Sequence, residues 1–241
     1  MAQIITISSQ KGGVGKSTLT VHLAVHLHNR GKKVCVIDCD DQGTSLRYLE
    51  NRKCNGLAVP HYFSKLHDIK TEVKSVSSQY DTIIIDTPAG RSESTDAAHS
   101  ISDTILTVFN DSFADLDVLA RIDNAKSRSL QPQNYSEGIW NHRKNKLASS
   151  GKPQNWILVL NRVGQVTKNR TKIMQLVDQV VAQWGVKFGG FVKERVGYRS
   201  GFLSGLTSLD PQSGGLTASH VSARIEIRQI AALLKLGEVR I

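Results

Sequence analysis

Short apolar runs rich in β-branched residues alternate along this chain with stretches whose apolar positions recur every three or four residues. That alternation predicts strand and helix in turn, the signature of a parallel α/β sheet. Ile4-Ile5-Thr6-Ile7 reads as the first strand. A helical face follows from Leu19, with Leu23, Leu27, Val21, Ala24 and Val25, and Arg30-Gly31 places a glycine where such a helix stops. Residues 33–38, 80–86, 104–109 and 156–160 are further short apolar strands. Residues 56–63 suggest an edge or irregular strand because of Pro60, and 66–78 a surface helix. Residues 110–117 lead into a helix reaching about residue 127, and 130–153 form a polar, basic insertion with one short helix. Residues 169–184 carry Ile173, Leu176, Val177, Val180 and Val181 on one helical face. A last short strand at 186–188, an irregular segment at 191–205 and a loop at 211–215 precede a final helix over 218–236, expected to pack through Ile225, Ile227, Ile230 and Leu234.

With 241 residues and 39% hydrophobic content, the chain suffices for one domain, residues 1–241, with a sizeable core. The N-terminus lacks a basic segment followed by an apolar signal core, and no apolar run approaches the roughly 20 residues of a membrane span. A cytoplasmic protein is expected. Cys35, Cys39 and Cys54 have no metal-binding spacing, and Cys35 and Cys39 fit a strand as small apolar side chains.

Candidate chemistry gathers at strand ends. After the first strand comes Gln10-Lys11-Gly12-Gly13-Val14-Gly15-Lys16-Ser17-Thr18, the strand, glycine loop and helix of a phosphate-binding P-loop. Gly12, Gly13 and Gly15, without Cβ, let the backbone around Val14 curl its N–H groups toward an anion. Lys16 should reach the β- and γ-phosphates, Ser17 should give its hydroxyl to Mg²⁺, and Thr18 should donate to a phosphate oxygen. The strand at 80–86 delivers Asp86 to the same edge, where it would hold Mg²⁺ through water, and residues 87–90 would form a switch sensing the γ-phosphate. Asp38-Cys39-Asp40-Asp41-Gln42-Gly43 ends the strand at 33–38; its acids either serve the nucleotide or cap a short helix from Thr44. No Asn-Lys-x-Asp guanine motif occurs, so ATP is favoured over GTP.

The second lysine, Lys11, makes this loop resemble the deviant P-loop of the ParA/MinD family. The resemblance implies a doubly wound, mostly parallel sheet flanked by helices, a deviant-Walker P-loop NTPase, with a homodimer formed on ATP. Lys11 would then cross to the partner's nucleotide, completing a catalytic set with Lys16 and Asp40, the carboxylate that positions the attacking water. Asp38 would lie near the Mg²⁺ shell and Asn161 at the adenine edge, while Asp41 stands where the family usually has proline. Without such a role, Lys11 is a solvated loop charge.

Asn110-Asp111-Ser112-Phe113, Trp140-Asn141-His142-Arg143, Leu160-Asn161-Arg162-Val163, Asn169-Arg170 and Val196-Gly197-Tyr198-Arg199 are similar to MipZ, the division-plane ATPase branch of that family. That similarity implies nucleoid association, a ParB-like partner and inhibition of FtsZ polymerisation. A ParA-type ATPase positioning plasmid, chromosome or protein cargo is the alternative. A MinD-like membrane ATPase would need a terminal amphipathic anchor, for which residues 231–241 are short and weakly basic, so no stable membrane binding is expected. An iron–sulfur relative using the same loop would need better-placed cysteines.

Charge sharpens the picture. Residues 1–120 carry 12 Lys/Arg against 14 Asp/Glu, whereas residues 121–241 carry 19 against 7. A second half so basic suits a polyanion, and without a groove-reading module it would bind DNA through phosphates, indifferent to sequence. Lys193, Arg195 and Arg199 are the first candidates, followed by Arg224 and Arg228 on one helix face; Glu194 and Glu226 are carboxylates that could claim them instead.

Overall fold

The computed structural model describes residues 1–64, 68–122, 130–164, 170–211 and 215–234. In chain order its elements are β1 (Gln3–Ser9), α1 (Lys16–His28), β2 (Val34–Asp38), α2 (Thr44–Cys54), β3 (His61–Ser64), α3 (Ile69–Val76), β4 (Thr82–Ala89), α4 (Glu93–Ile101) and β5 (Thr104–Asn110). They continue as α5 (Phe113–Leu116), β6 (Ala120–Ile122), β7 (Leu130–Pro132), α6 (Asn134–Ser150), β8 (Asn155–Val163), α7 (Arg170–Trp184), β9 (Lys187–Lys193), α8 (Val196–Ser204) and α9 (Ala218–Leu233).

Seven strands form one sheet in the order β3-β2-β4-β1-β5-β8-β9, every neighbouring pair parallel. The chain winds outward from β1 in one direction and then in the other, so the loop after β1 sits where strand order reverses, the crevice that open α/β sheets use for ligands. Alternation along each strand assigns the faces. Ile5, Ile7, Val36, Ile84, Val108 and Val159 meet α1 and α9 in one core, while Ile105, Leu158 and Leu160 meet α6 and α7 in another. Cys35, Ile37, Ile83 and Ile85 form a third with α3 and α4, so the buried cysteines pack as apolar groups.

β1 turns hydroxyls toward the second face. Ser8 Oγ lies 2.8 Å from the Tyr135 hydroxyl on α6 and 2.9 Å from His99 Nε2 on α4. The Tyr135 hydroxyl also meets Thr107 Oγ1 at 3.0 Å, which accepts from the Trp156 indole at 2.9 Å. Burial lowers the pKa of His99 to about 3, with neighbouring His142 acting the same way, so the ring is neutral.

Several expected elements differ. The insertion contains not a short helix but the seventeen-residue α6, weakly patterned because only Tyr135, Ser136 and Ile139 are buried; Gly151 at φ +67° ends it. The helix expected to reach residue 127 is one turn, α5, after which β6 pairs antiparallel with β7 because Leu119, Ala120 and Leu130 are drawn into the core; residues 123–129 lie outside the described ones. The irregular stretch at 191–205 is the end of β9 followed by α8. On α9, Ile227 and Ile230 are buried, as is Leu234 just beyond it, but Ile225 is 48% exposed and does not hold the helix down. Asn169 and the 235–241 part of the proposed anchor lie outside the described residues. Among the described residues no helix is long and apolar enough to cross a membrane.

Candidate nucleotide site

The loop between β1 and α1 has the shape of an anion cradle. Gly13 and Gly15 adopt φ of +73° and +93°, and α1 begins at Gly15 with no side chain capping its first N–H groups and no acid in its first turn. Those N–H groups and the positive end of the helix dipole are what a phosphate requires. A Cβ on Gly15 would overlap the Asn161 amide, whose Nδ2 donates to the Val14 carbonyl at 2.6 Å. Asn161 thus braces the loop from β8, which places it and Val14 in the cradle's frame. Ser17 and Thr18 stand on the first turn of α1.

Lys16 is buried and donates to Ser9 Oγ at 3.0 Å, and Ser9 Oγ donates in turn to the Lys11 carbonyl at 2.7 Å. Burial lowers the Lys16 pKa, while the carboxylates of Asp86 and Asp40 oppose the shift. A lysine cation between phosphate-binding N–H groups and two carboxylates neutralises charge from either side.

Asp86 sits opposite Asp38 in the β2–β4 register and is fully buried. Neither of its oxygens makes a hydrogen bond of normal geometry, although Ser17 and Ser45 are near enough to temper its acidity. Burial, with a further push from Asp38, raises its pKa to about 7. A buried carboxylate without donors beside a helix-start hydroxyl fits a divalent cation that takes few protein oxygens and draws its other ligands from phosphate and water. No group of three or more His, Cys, Asp or Glu among the described residues would cage a metal alone, as Mg²⁺ at a phosphate site does not need.

Asp38, expected in the metal shell, is occupied. Its Oδ1 accepts from the Asp40 N–H at 3.0 Å, and its Oδ2 from Ser45 Oγ at 2.7 Å and the Ser45 and Leu46 N–H groups at 3.1 and 3.3 Å. It ties the 39–43 loop to the start of α2, a role for which Ser45, seven positions on, was the overlooked signal. Asp40 turns its own Oδ1 to the Gln42 N–H at 3.0 Å and is close enough to Lys16 to act on its charge. Residues 87–90, expected to form a switch, are largely strand: β4 runs to Ala89, Thr87 Oγ1 donates to the Ile7 carbonyl at 3.1 Å, and the Gly90 N–H donates to the Ser9 carbonyl at 2.9 Å.

Lys11 points within its own chain, donating to the Ala114 carbonyl at 2.7 Å and Asp115 Oδ1 at 3.0 Å. Beside the cradle lies a cavity lined by Thr18, His22, Asn161, Arg162, Glu194 and Tyr198. Arg162 takes a positive φ of 53° there, and Glu194 links it, at 3.6 Å, to Arg199. Sequence reasoning gave His22 no place here, named Glu194 only as a carboxylate that could claim the arginines, and named Tyr198 only within the 196–199 segment.

The basic candidates divide. Arg195 is not a free surface cation but a bidentate partner of Glu226, at 2.6 and 2.7 Å, and Arg224 donates to the carbonyls of Ser208, Leu209 and Asp210, each at 3.1 Å. Both are held by neighbours that sequence spacing could not place. Lys193 and Arg228 remain exposed, and Arg199 is 68% exposed despite its pairing with Glu194.

Two family models match the chain. The family model for ATPase MipZ matches residues 56–238, and that for NUBPL iron-transfer P-loop NTPase matches residues 1–80. The septum site-determining protein MinD of Thermotoga maritima is 33% identical over 37% of this chain and 45% of its own length. The sporulation initiation inhibitor protein Soj of Bacillus subtilis is 49% identical over 19% of this chain and 18% of its own. The chain thus spans less than half the length of these curated relatives. Among solved structures, the Cyanothece McdA(D38A)–ATP complex superposes with a TM-score of 0.70 at 15% identity, covering 99% of this chain and 98% of that one. MinD of Pyrococcus horikoshii complexed with Mg-ADP gives 0.64 at 20% identity, covering 100% and 99%. At such identities these structures speak for the fold, a P-loop sheet of the ParA/MinD type.

Proposed function

Because this chain belongs to the ATPase MipZ family, we propose that it is an ATP-hydrolysing switch between monomer and homodimer that binds DNA nonspecifically as the dimer and positions cell division. The observation that carries the reading is the meeting of the uncapped α1 N-terminus, Lys16 and the donor-free Asp86 carboxylate at the ends of adjacent strands β1 and β4. The loop N–H groups, Thr18 and Lys16 hold the β- and γ-phosphates, and Asn161 fixes the loop against the base cavity. Ser17 and Asp86 would hold Mg²⁺, which supplies positive charge to the phosphates when bound. Asp40 orients the attacking water and accepts its hydrogen bond as the nucleophile approaches. Lys11 leaves Asp115 to reach the nucleotide of a second copy, adding charge stabilisation there.

DNA contact in this reading rests on Lys193, Arg199 and Arg228, doubled in the dimer so that affinity rises by multivalency. It places the protein in the cytoplasm on the nucleoid, with a ParB-like protein and FtsZ as partners. A ParA-type cargo ATPase shares every property except FtsZ inhibition, and the matches to Soj and plasmid partition proteins keep it as the second reading.

Light scattering with ATP and Mg²⁺ tests the switch. The native chain should double in mass, Asp40→Ala should stay doubled without releasing phosphate, Lys11→Ala should bind nucleotide as a monomer, and Lys16→Ala should bind none. Anisotropy with two unrelated duplexes should show equal, salt-sensitive affinity for the trapped dimer only. FtsZ sedimentation then separates the two readings, and binding of nucleotide-free protein to DNA as tight as that of the dimer would defeat both.

A further inference from the structure

The insertion helix builds a groove of its own, on the α6 and α7 side of the sheet. Along α6, Ser136, Trp140, Lys144 and Leu147 follow one another at helical spacing on one stripe. Together with Pro132 on β7 and Trp184 at the end of α7, the first three of these line a cavity of about 520 Å³. Past Ile139, α6 buries no residue, and Leu147 extends the stripe while 51% exposed. Trp140 leans on the α6–α7 core with one side, and beyond it the stripe is left to solvent.

Its walls are held in place. Trp184 stacks on Trp156 with ring centres 6.0 Å apart and planes 20° from parallel. Arg143 lies 5.6 Å from the Trp140 ring centre and donates to the carbonyls of Gln154, Trp184 and Gly185, each at 3.2 Å, tying α6 to the end of α7. Its charge is thereby engaged in the wall, whereas Lys144, 6.0 Å from the Trp140 ring centre, makes no ion pair among the described residues. Between these walls Ser136 is 1% exposed, and its hydroxyl has no hydrogen-bond partner among the described residues. A buried hydroxyl without a partner costs free energy and fits a polar group brought by an occupant.

The surrounding charge indicates what that occupant is. Lys144 lines the groove, Arg121 is exposed on β6 beside the residue paired with Pro132, and Lys152 is exposed just past α6. Glu137, two helical turns before Lys144, is the one acid lining the cavity. A ligand acid is therefore favoured at the Lys144 end and repelled at the other, which gives the groove a polarity.

We propose that this groove docks a short acidic peptide segment of a partner protein, seating one bulky apolar side chain between Trp140 and Trp184 and a carboxylate on Lys144. Burying one aromatic side chain accounts for tenfold or more in affinity, and the lysine sets the sign of charge that is accepted. The proposal does not depend on ATP or on dimer formation, because none of the lining residues belongs to the nucleotide site.

The test uses the full chain and a fluorescein-labelled, C-terminally amidated peptide of sequence Asp-Asp-Leu-Phe-Asp-Asp, followed by anisotropy. Replacing the peptide's Phe by Ala, or the protein's Trp140 by Ala, should weaken binding at least tenfold. Lys144→Glu should reverse the charge preference, favouring the peptide with Lys in place of Asp. Trp140→Phe, which keeps a packed wall, should retain binding within about threefold and guards against a folding defect. Equal binding of the Phe and Ala peptides would mean diffuse attraction to a basic protein and overturn the proposal. So would saturation by indole with no peptide binding, or a charge preference that Lys144→Glu leaves unchanged.

Discussion

Lys11 and Asp115, 104 positions apart, are joined by a 3.0 Å ion pair, with Lys11 39% exposed and the carboxylate 8% exposed. Asp115 is itself held in place, because its other oxygen accepts the Asn110 N–H at 2.9 Å. A lysine that is to serve a second copy must first leave this pair. Asp115→Asn should therefore favour the dimer. A half-exposed pair is worth about 0.2–1 kcal/mol and both copies must give theirs up, so the protein concentration at half-dimerisation should fall by up to about thirtyfold. Light scattering across a dilution series with ATP reads it, and an unchanged midpoint would mean that the pair is not a competitor.

Arg52 and Asp210 form the chain's most buried ion pair among the described residues, two hydrogen bonds of 2.6 and 2.7 Å that fasten α2 to the turn before α9. Burial by itself would raise the Asp210 pKa, but Arg52 and Thr207 together hold it below the usual range. Asp210→Ala leaves a guanidinium stranded, and urea unfolding should show a loss of about 3–5 kcal/mol. Replacing both residues by apolar ones of similar volume should recover most of it.

Acid should destabilise the nucleotide-free protein from just below pH 6.5. Burial lowers the pKa of His22 and His26 to about 4 and of His99 to about 3, so as pH falls the unfolded chain takes up their protons first. Stability is then full above pH 6.5 and drains away toward pH 4, each histidine contributing up to about 1.4 kcal/mol per pH unit. Asp86, raised to about 7, acts with the opposite sign over pH 4–7, but as one group against three. The urea midpoint should be lower at pH 5.5 than at pH 7.5, and His99→Gln should flatten the slope.

Gly15→Ala should cost nucleotide binding at least a hundredfold while the protein remains folded, read with a fluorescent ATP analogue and circular dichroism. The methyl would displace the Asn161 amide and strain a backbone at φ +93°. Asn161→Ala in the same chain should restore only part of the affinity, since the backbone strain remains.

Much of this was legible in the amino-acid sequence, and the reason is locality. The P-loop announces itself because glycines, Lys16 and Ser17 must be contiguous to wrap one phosphate chain, and β1, β4 and β5 because strands buried on both faces are short runs dominated by aliphatic and β-branched residues. α6 was harder to read because a long helix that buries three residues carries almost no period. Glu226 was a visible candidate for the arginines, but 31 positions of separation hid that it pairs with Arg195, and the hold of Asp38 on the start of α2 was hard to see because strand-end acids serve helix starts and cations alike.

The hydroxyl chain beneath β1 has one direction. An indole N–H can only donate, so the Trp156 proton enters at Thr107, and the succession through Tyr135 and Ser8 that leaves no proton unshared ends on His99 Nε2 as acceptor. Five side chains from β8, β5, α6, β1 and α4 must each arrive at one position for that sequence of donors to close. Sliding β5 by a single residue in either direction would set Leu106 or Val108 against a hydroxyl and interrupt it. The network is therefore a latch on register: the central strands, α4 and α6 share one polar seam beneath the glycine loop, and it closes only when all of them are in place.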